Sequence, residues 1–74
     1  MATFTGYIAE VMEGKIRVTP TREADPFDGI VFHLEEHFSE EKPFLVGQSV
    51  RVEHDGQMTR SLPPQTTARR VDVL

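Results

Sequence analysis

The chain has 74 residues and no cysteine, so it is one domain near the lower size limit for a single apolar core, with no disulfide or thiolate metal site to staple it. That length leaves little room for a deep substrate cavity with a rigid supporting shell, which argues against an enzyme. The net charge of -4 argues against a phosphate backbone as partner, because nucleic-acid binders usually present a basic face on a basic domain.

The apolar residues are mostly β-formers, and their spacing predicts an all-β chain with at most a short helix. Thr3 to Met12 reads as a strand whose alternation changes phase: Phe4 and Ile8 share one parity and Val11 has the other. A bulge near Ala9 or a bend at Gly6 reconciles them. Glu13-Gly14 turns into Lys15 to Thr19, a period-two strand with Ile16 and Val18 inward. Pro20 ends it, and 21–29 reads as loop, with turn signals at Asp25-Pro26 and Asp28-Gly29. A third strand runs from Ile30 to Leu34 with Ile30, Phe32 and Leu34 inward, which leaves Val31 and His33 on the outer face.

Glu35 to Pro43 breaks the pattern. Ser39-Glu40-Glu41 is a helix-start signal that Pro43 limits to a turn or two. Phe38, Phe44 and Leu45 are expected to plug the barrel end. The next strand is Val46 to Val52, with Val50 and Val52 inward and Arg51 outward. Asp55-Gly56 is the strongest hairpin signal. Gln57 to Arg60 returns briefly, and the adjacent prolines Pro63 and Pro64 make 61–67 a loop. Ala68 to Leu74 closes the fold with Val71 and Val73 inward. Three strands, a connector and two strands are the element order of an OB-like five-stranded Greek-key barrel over residues 1–74, with an SH3-like barrel as the alternative.

Residues 46–74 also carry a family pattern: Val46-Gly47-Gln48, Val50 and Val52, then Gly56, then Ser61, Pro63 and Gln65, then Ala68, Val71 and Val73. This resembles the YobA-like domains of unknown function of Gram-positive bacteria. Leu62 stands where many members carry an aromatic. The resemblance implies an OB-like barrel, often extracytoplasmic, and no particular activity.

Candidate chemistry is sparse. His33-Leu34-Glu35-Glu36-His37 matches the string H-x-x-E-H, whose zinc chemistry needs both histidines on one helix face. On a strand they would stand about 13 Å apart, too far for one ion. His33, His37 and His54 have no spacing that makes them converge, and they read as ordinary surface histidines. Glu35, Glu36, Glu40 and Glu41 lack the wrapping loop of a calcium site. No metal and no cofactor is implied.

OB-like barrels commonly bind ligands across strands two and three. That face offers Lys15, Arg17, Thr19, Val31 and His33 but no outward ring, so single-stranded nucleic acid or a small ligand is the secondary reading. Tyr7 and Phe27 are the only available stackers, and both read as core or loop plugs. Arg51, Arg60, Arg69 and Arg70 read as ion pairs with Glu53, Asp55 and Asp72 rather than as a basic site. The primary reading is a protein-binding module that uses the corner Ser61 to Thr67, with Arg60, Ser61, Leu62, Pro63 and Gln65, and an exposed strand edge. The first twenty residues show no signal peptide, and no apolar run is long enough to span a membrane. The expectation is a soluble protein, cytoplasmic unless a leader was removed. Nothing fixes its oligomeric state.

Overall fold

A computed structural model describes residues 2–23, 25–34 and 44–74. Five strands follow in order: β1 (Ala2–Met12), β2 (Lys15–Thr19), β3 (Ile30–His33), β4 (Ser49–His54) and β5 (Gln65–Val73). They close into a barrel in the order β1-β2-β3-β5-β4, with β4 returning to β1. All the pairings are antiparallel except β3 with β5, which is parallel. This is the Greek-key order of an OB-like barrel. The expected connector at 35–43, with Phe38 and the helix-start signal, lies outside the described residues. Among the described residues there is no helix, and so none long and apolar enough to cross a membrane.

β1 is the strand that lets five strands close. Its first half pairs with β4 and its second half with β2, and the register slips between Ile8 and Glu10. Ala9 is therefore a bulge, and the added coil turns the strand from one neighbour to the other. Close approach fixes the crossing: a Cβ on Gly6 would collide with the carbonyl oxygen of Thr19. Gly29 sits where the chain enters β3 with φ of +85°, and its missing Cβ would meet the Val18 carbonyl. No other residue type suits that backbone at that distance.

The inward parities give the core. Ile8, Ile16, Val18, Ile30, Phe32, Val50, Val52 and Ala68 are buried, with Phe4, Leu34, Phe44 and Val71 packed against them. Phe32 is the centre, with its ring 6.1 Å from Phe4 and 5.3 Å from His54. His54 is thus a core residue rather than a surface one. Its Nδ1 is 2.6 Å from the Asp55 carbonyl oxygen, a bond that answers the burial of a polar atom.

Several expected elements differ. β3 stops at His33, although the Leu34 N–H still donates to the Gly14 carbonyl. Residues 46–48 form a turn before β4. Gly47 has φ of +94°, its N–H donates to the Ile8 carbonyl, and the Gln48 side chain accepts from the Leu45 N–H. That turn leaves Leu45 and Val46 exposed, so Leu45 does not plug the barrel.

Asp55-Gly56 opens a long loop, 55–64, rather than a tight hairpin. Gly56 lacks the positive φ that such a hairpin requires. Gln57 to Arg60 forms no strand because its polar groups bond elsewhere: the Thr66 hydroxyl donates to the Gln57 carbonyl at 2.7 Å. β5 starts early, at Gln65, because its first three residues pair with β3. A second register slip beside Arg69 changes the parity after Ala68 and sets Val71 and Val73 opposite Val52 and Val50. Val71 packs on the core, while Val73, at the strand end, is 48% exposed at the rim. Thr19 and Val31, expected on the outer face, are both buried. The expected free strand edge is reduced, since every strand has a partner on each side in the closed order.

Candidate functional site

The ladders bring four predicted residues onto one outer face. Lys15 lies opposite His33, which lies opposite Thr67, and one step along Arg17 lies opposite Val31, which lies opposite Gln65. His33 Nε2 donates to Gln65 Oε1 at 2.7 Å. Arg17, however, is committed to structure. Its Nη1 donates to the carbonyls of Asp25 and Asp28 at 3.3 and 3.2 Å, and its Nε reaches Glu10 at 3.4 Å. The side chain keeps only 12% exposure. The guanidinium thus ties residues 25–28 to the barrel wall instead of facing a ligand. With Arg17 engaged and Val31 6% exposed, the face keeps Lys15 but lacks the cation pair and the open platform that strand binding needs.

Beside this face lies a groove of about 400 Å³, walled by His33, Gln65 and Thr67 on one side and by Asp55, Met58 and Thr59 on the other. It is predominantly polar, and its far wall is the 55–64 loop. Asp55 is not free to act there. Arg69 donates to both its oxygens, at 3.0 and 3.1 Å. That hydrogen bond holds the Asp55 carboxyl below its ordinary pKa of 3.8. No group of three metal-ligating side chains converges among the described residues. Glu36 and His37 of the H-x-x-E-H string lie outside them.

The proline corner occupies the far end of the same loop. The Ser61 hydroxyl donates to the Pro63 carbonyl at 2.9 Å and lies 2.6 Å from the Thr59 hydroxyl. Thr59 in turn accepts from the Gln65 N–H at 3.0 Å, and its own N–H donates to the Gln65 carbonyl at 2.9 Å. The Leu62-Pro63 peptide is cis. Leu62 projects from this braced turn 77% exposed, the highest among the large apolar residues described. Arg60 is exposed beside it and forms no ion pair among the described residues. The other three arginines of the expected cluster are paired: Arg51 and Arg70 with Asp72, and Arg69 with Asp55. Arg51, on β4, stands apart from both the face and the corner.

A family model described as a protein of unknown function, DUF3221, matches residues 5–74. The chain belongs to this family. The match reaches well beyond the 46–74 pattern and spans all five strands. No curated protein and no solved structure matches the chain.

In this DUF3221 domain the sequence pattern missed Met58 and Thr59, because a loop threonine and a lone methionine carry no periodic signal. It also read Phe27 as a plug, whereas the ring is 67% exposed on the loop before β3. The Asp-Pro and Asp-Gly turns on either side were the available cue, since a residue between two turns has little chance of reaching a core.

Proposed function

We propose that this domain is a non-catalytic protein-binding module that presents the 59–65 corner, with Leu62 at its tip, to an apolar pocket of a partner protein. The observation that carries this reading is Leu62 itself, an almost fully exposed leucine on a turn already hydrogen-bonded from both sides. A braced loop loses little conformational entropy on docking, so more of the burial energy is available for affinity. Phe27 supports the same surface. β3 and β5 run parallel, so the loops leading into them, with Phe27 and Leu62, lie at one end of the pair. The likeness of residues 46–74 to YobA-like domains points to a Gram-positive source and an extracytoplasmic setting for that partner.

Burying a leucine contributes about 1.5–3 kcal/mol, so Leu62→Asp is expected to weaken binding at least tenfold. Its thermal midpoint should barely move, because an exposed side chain is replaced. A photo-crosslinker at position 62, compared with one at the exposed Thr5 on the barrel wall, would identify the partner in producing cells. Calorimetry with that purified partner then compares the two proteins. Equal crosslinking at both positions, or equal affinity for Leu62→Asp, would sink the proposal.

A second reading is a small polar ligand in the 400 Å³ groove beside His33 and Gln65. The groove favours it over single-stranded nucleic acid, for which Arg17 and Val31 offer nothing.

A further inference from the structure

A smaller cleft, of about 270 Å³, lies between the outer face of β1, the chain after β2 and the turn before β4. Among its walls are Tyr7, Ala9, Arg17, Arg22, Val46 and Gly47, with Thr19 behind them. Thr19 sets its shape. The hydroxyl of this buried residue donates to the Thr21 carbonyl at 2.6 Å and holds the chain against the barrel as it leaves β2. Tyr7 is the cross-strand neighbour of Thr19, so Arg22 comes to rest over the tyrosine ring, 4.8 Å from its centroid.

A stacked guanidinium is held through its face, and its N–H donors remain in the plane of its edge. Among the described residues Arg22 forms no ion pair, in contrast to Arg51, Arg69 and Arg70. Glu10, on the neighbouring strand face, is engaged by Arg17. Arg17 also borders the cleft, but its guanidinium is taken up by Glu10 and by the carbonyls of Asp25 and Asp28. The other walls are apolar or bare. Val46 is exposed, Ala9 is the bulge residue with no cross-strand partner, and a Cβ on Gly47 would meet nothing within 4 Å. Bulges commonly re-aim the wall of a site in this way.

We propose that this cleft binds a carboxylate that carries an aliphatic group. The Arg22 fork takes the carboxylate oxygens, and the aliphatic group lies against Ala9 and Val46. The volume suits a group of about the size of one aliphatic amino acid, below the range of drug-sized pockets. Both a free short-chain acid and the terminal residue of a peptide have this chemistry.

The test is an amide and arginine-side-chain shift titration of the intact protein with N-acetyl-leucine, its neutral amide, inorganic phosphate and acetyl-Ala-Ala-Leu. N-acetyl-leucine is expected to bind saturably with Kd on the order of millimolar, as its size allows. The shifts should centre on Tyr7, Ala9, Gly47 and the Arg22 Nε–H. The neutral amide should bind at least tenfold more weakly, and so should N-acetyl-leucine to Arg22→Gln or Val46→Asp, each with an otherwise unchanged spectrum. A tighter tripeptide supports a chain end as the source, and equal affinity supports a free acid. Equal binding of the neutral amide, a phosphate response as strong as that of N-acetyl-leucine, or full retention by Arg22→Gln overturns the proposal. Leu62→Asp leaves this titration unchanged, so the cleft and the corner can fail separately.

Discussion

Asp55 and Arg69 show how one local bond decides what a charge can do. The guanidinium meets both carboxylate oxygens and keeps the acid ionised below its ordinary 3.8. A carboxyl whose pKa is lower folded than unfolded adds stability that is fully present above the unfolded value. The contribution fades as pH falls through the folded one. Both side chains are nearly half exposed, so the contribution is small and salt weakens it. Arg69→Gln should move the Asp55 midpoint up towards 3.8 in a carboxyl-detected NMR titration. It should also flatten the stability profile below that pH. An unmoved midpoint would mean that another group holds the proton off. Alternating charges on the last strands made such pairing legible in sequence. The identity of the pair was not, because the slip beside Arg69 changes which residues face each other.

At the scale of elements, period-two alternation was a sound guide where a strand stayed in register. Ile16 and Val18, Ile30 and Phe32, and Val50 and Val52 are core as their parity required. It failed where a loop covered a face or a strand ran out to the rim. Val31 has outward parity and is buried. Val73 has inward parity, opposite Val50, and lies exposed at the rim. The second-strand face illustrates the first case. Arg17 read as a ligand-facing cation, yet it accounts for two of the bonds that hold the chain after Pro20 to the wall. Charge and spacing alone cannot tell a cation that waits for a ligand from one that has already met two carbonyls.

Arg17→Gln removes those bonds and the contact with Glu10. Since each is worth about 0.5–1.5 kcal/mol net, a loss of about 1–2 kcal/mol is expected in urea unfolding. In hydrogen exchange the Asp28 amide, which now donates to the Asp25 carbonyl, should lose roughly tenfold protection. The Val50 amide should change only by the global loss. Equal loss at both amides would show that Arg17 supports the barrel rather than the loop.

For the whole molecule, five strands of β-forming residues were enough to indicate an OB-like barrel, but with a free edge that the structure closes. Parity says which face a residue shows, and it says nothing about which neighbour the strand meets. The closing seam is β3 with β5, and it is thin. Its register holds three pairs, Val31 to His33 against Gln65 to Thr67. β1 against β4 holds six, Ala2 to Tyr7 against His54 to Ser49. The seam is also the parallel pairing, which is slightly weaker per residue. A domain of this size has a total stability of roughly 4–11 kcal/mol, so a weak seam can open well before the rest. Native-state hydrogen exchange should therefore show two classes. Amides of β3 and of residues 65–67 should exchange through an opening about 1–2 kcal/mol below the global value. Those of β4, bonded on both sides within long antiparallel ladders, should require global unfolding. Uniform exchange energies across β3, β4 and β5 would mean that the barrel opens only as a unit. In the two-class case the corner bearing Leu62 and the groove beside His33 both border the part of the fold that opens first. A partner bound to either would then raise seam protection while leaving the relative protection of β4 over β1 unchanged.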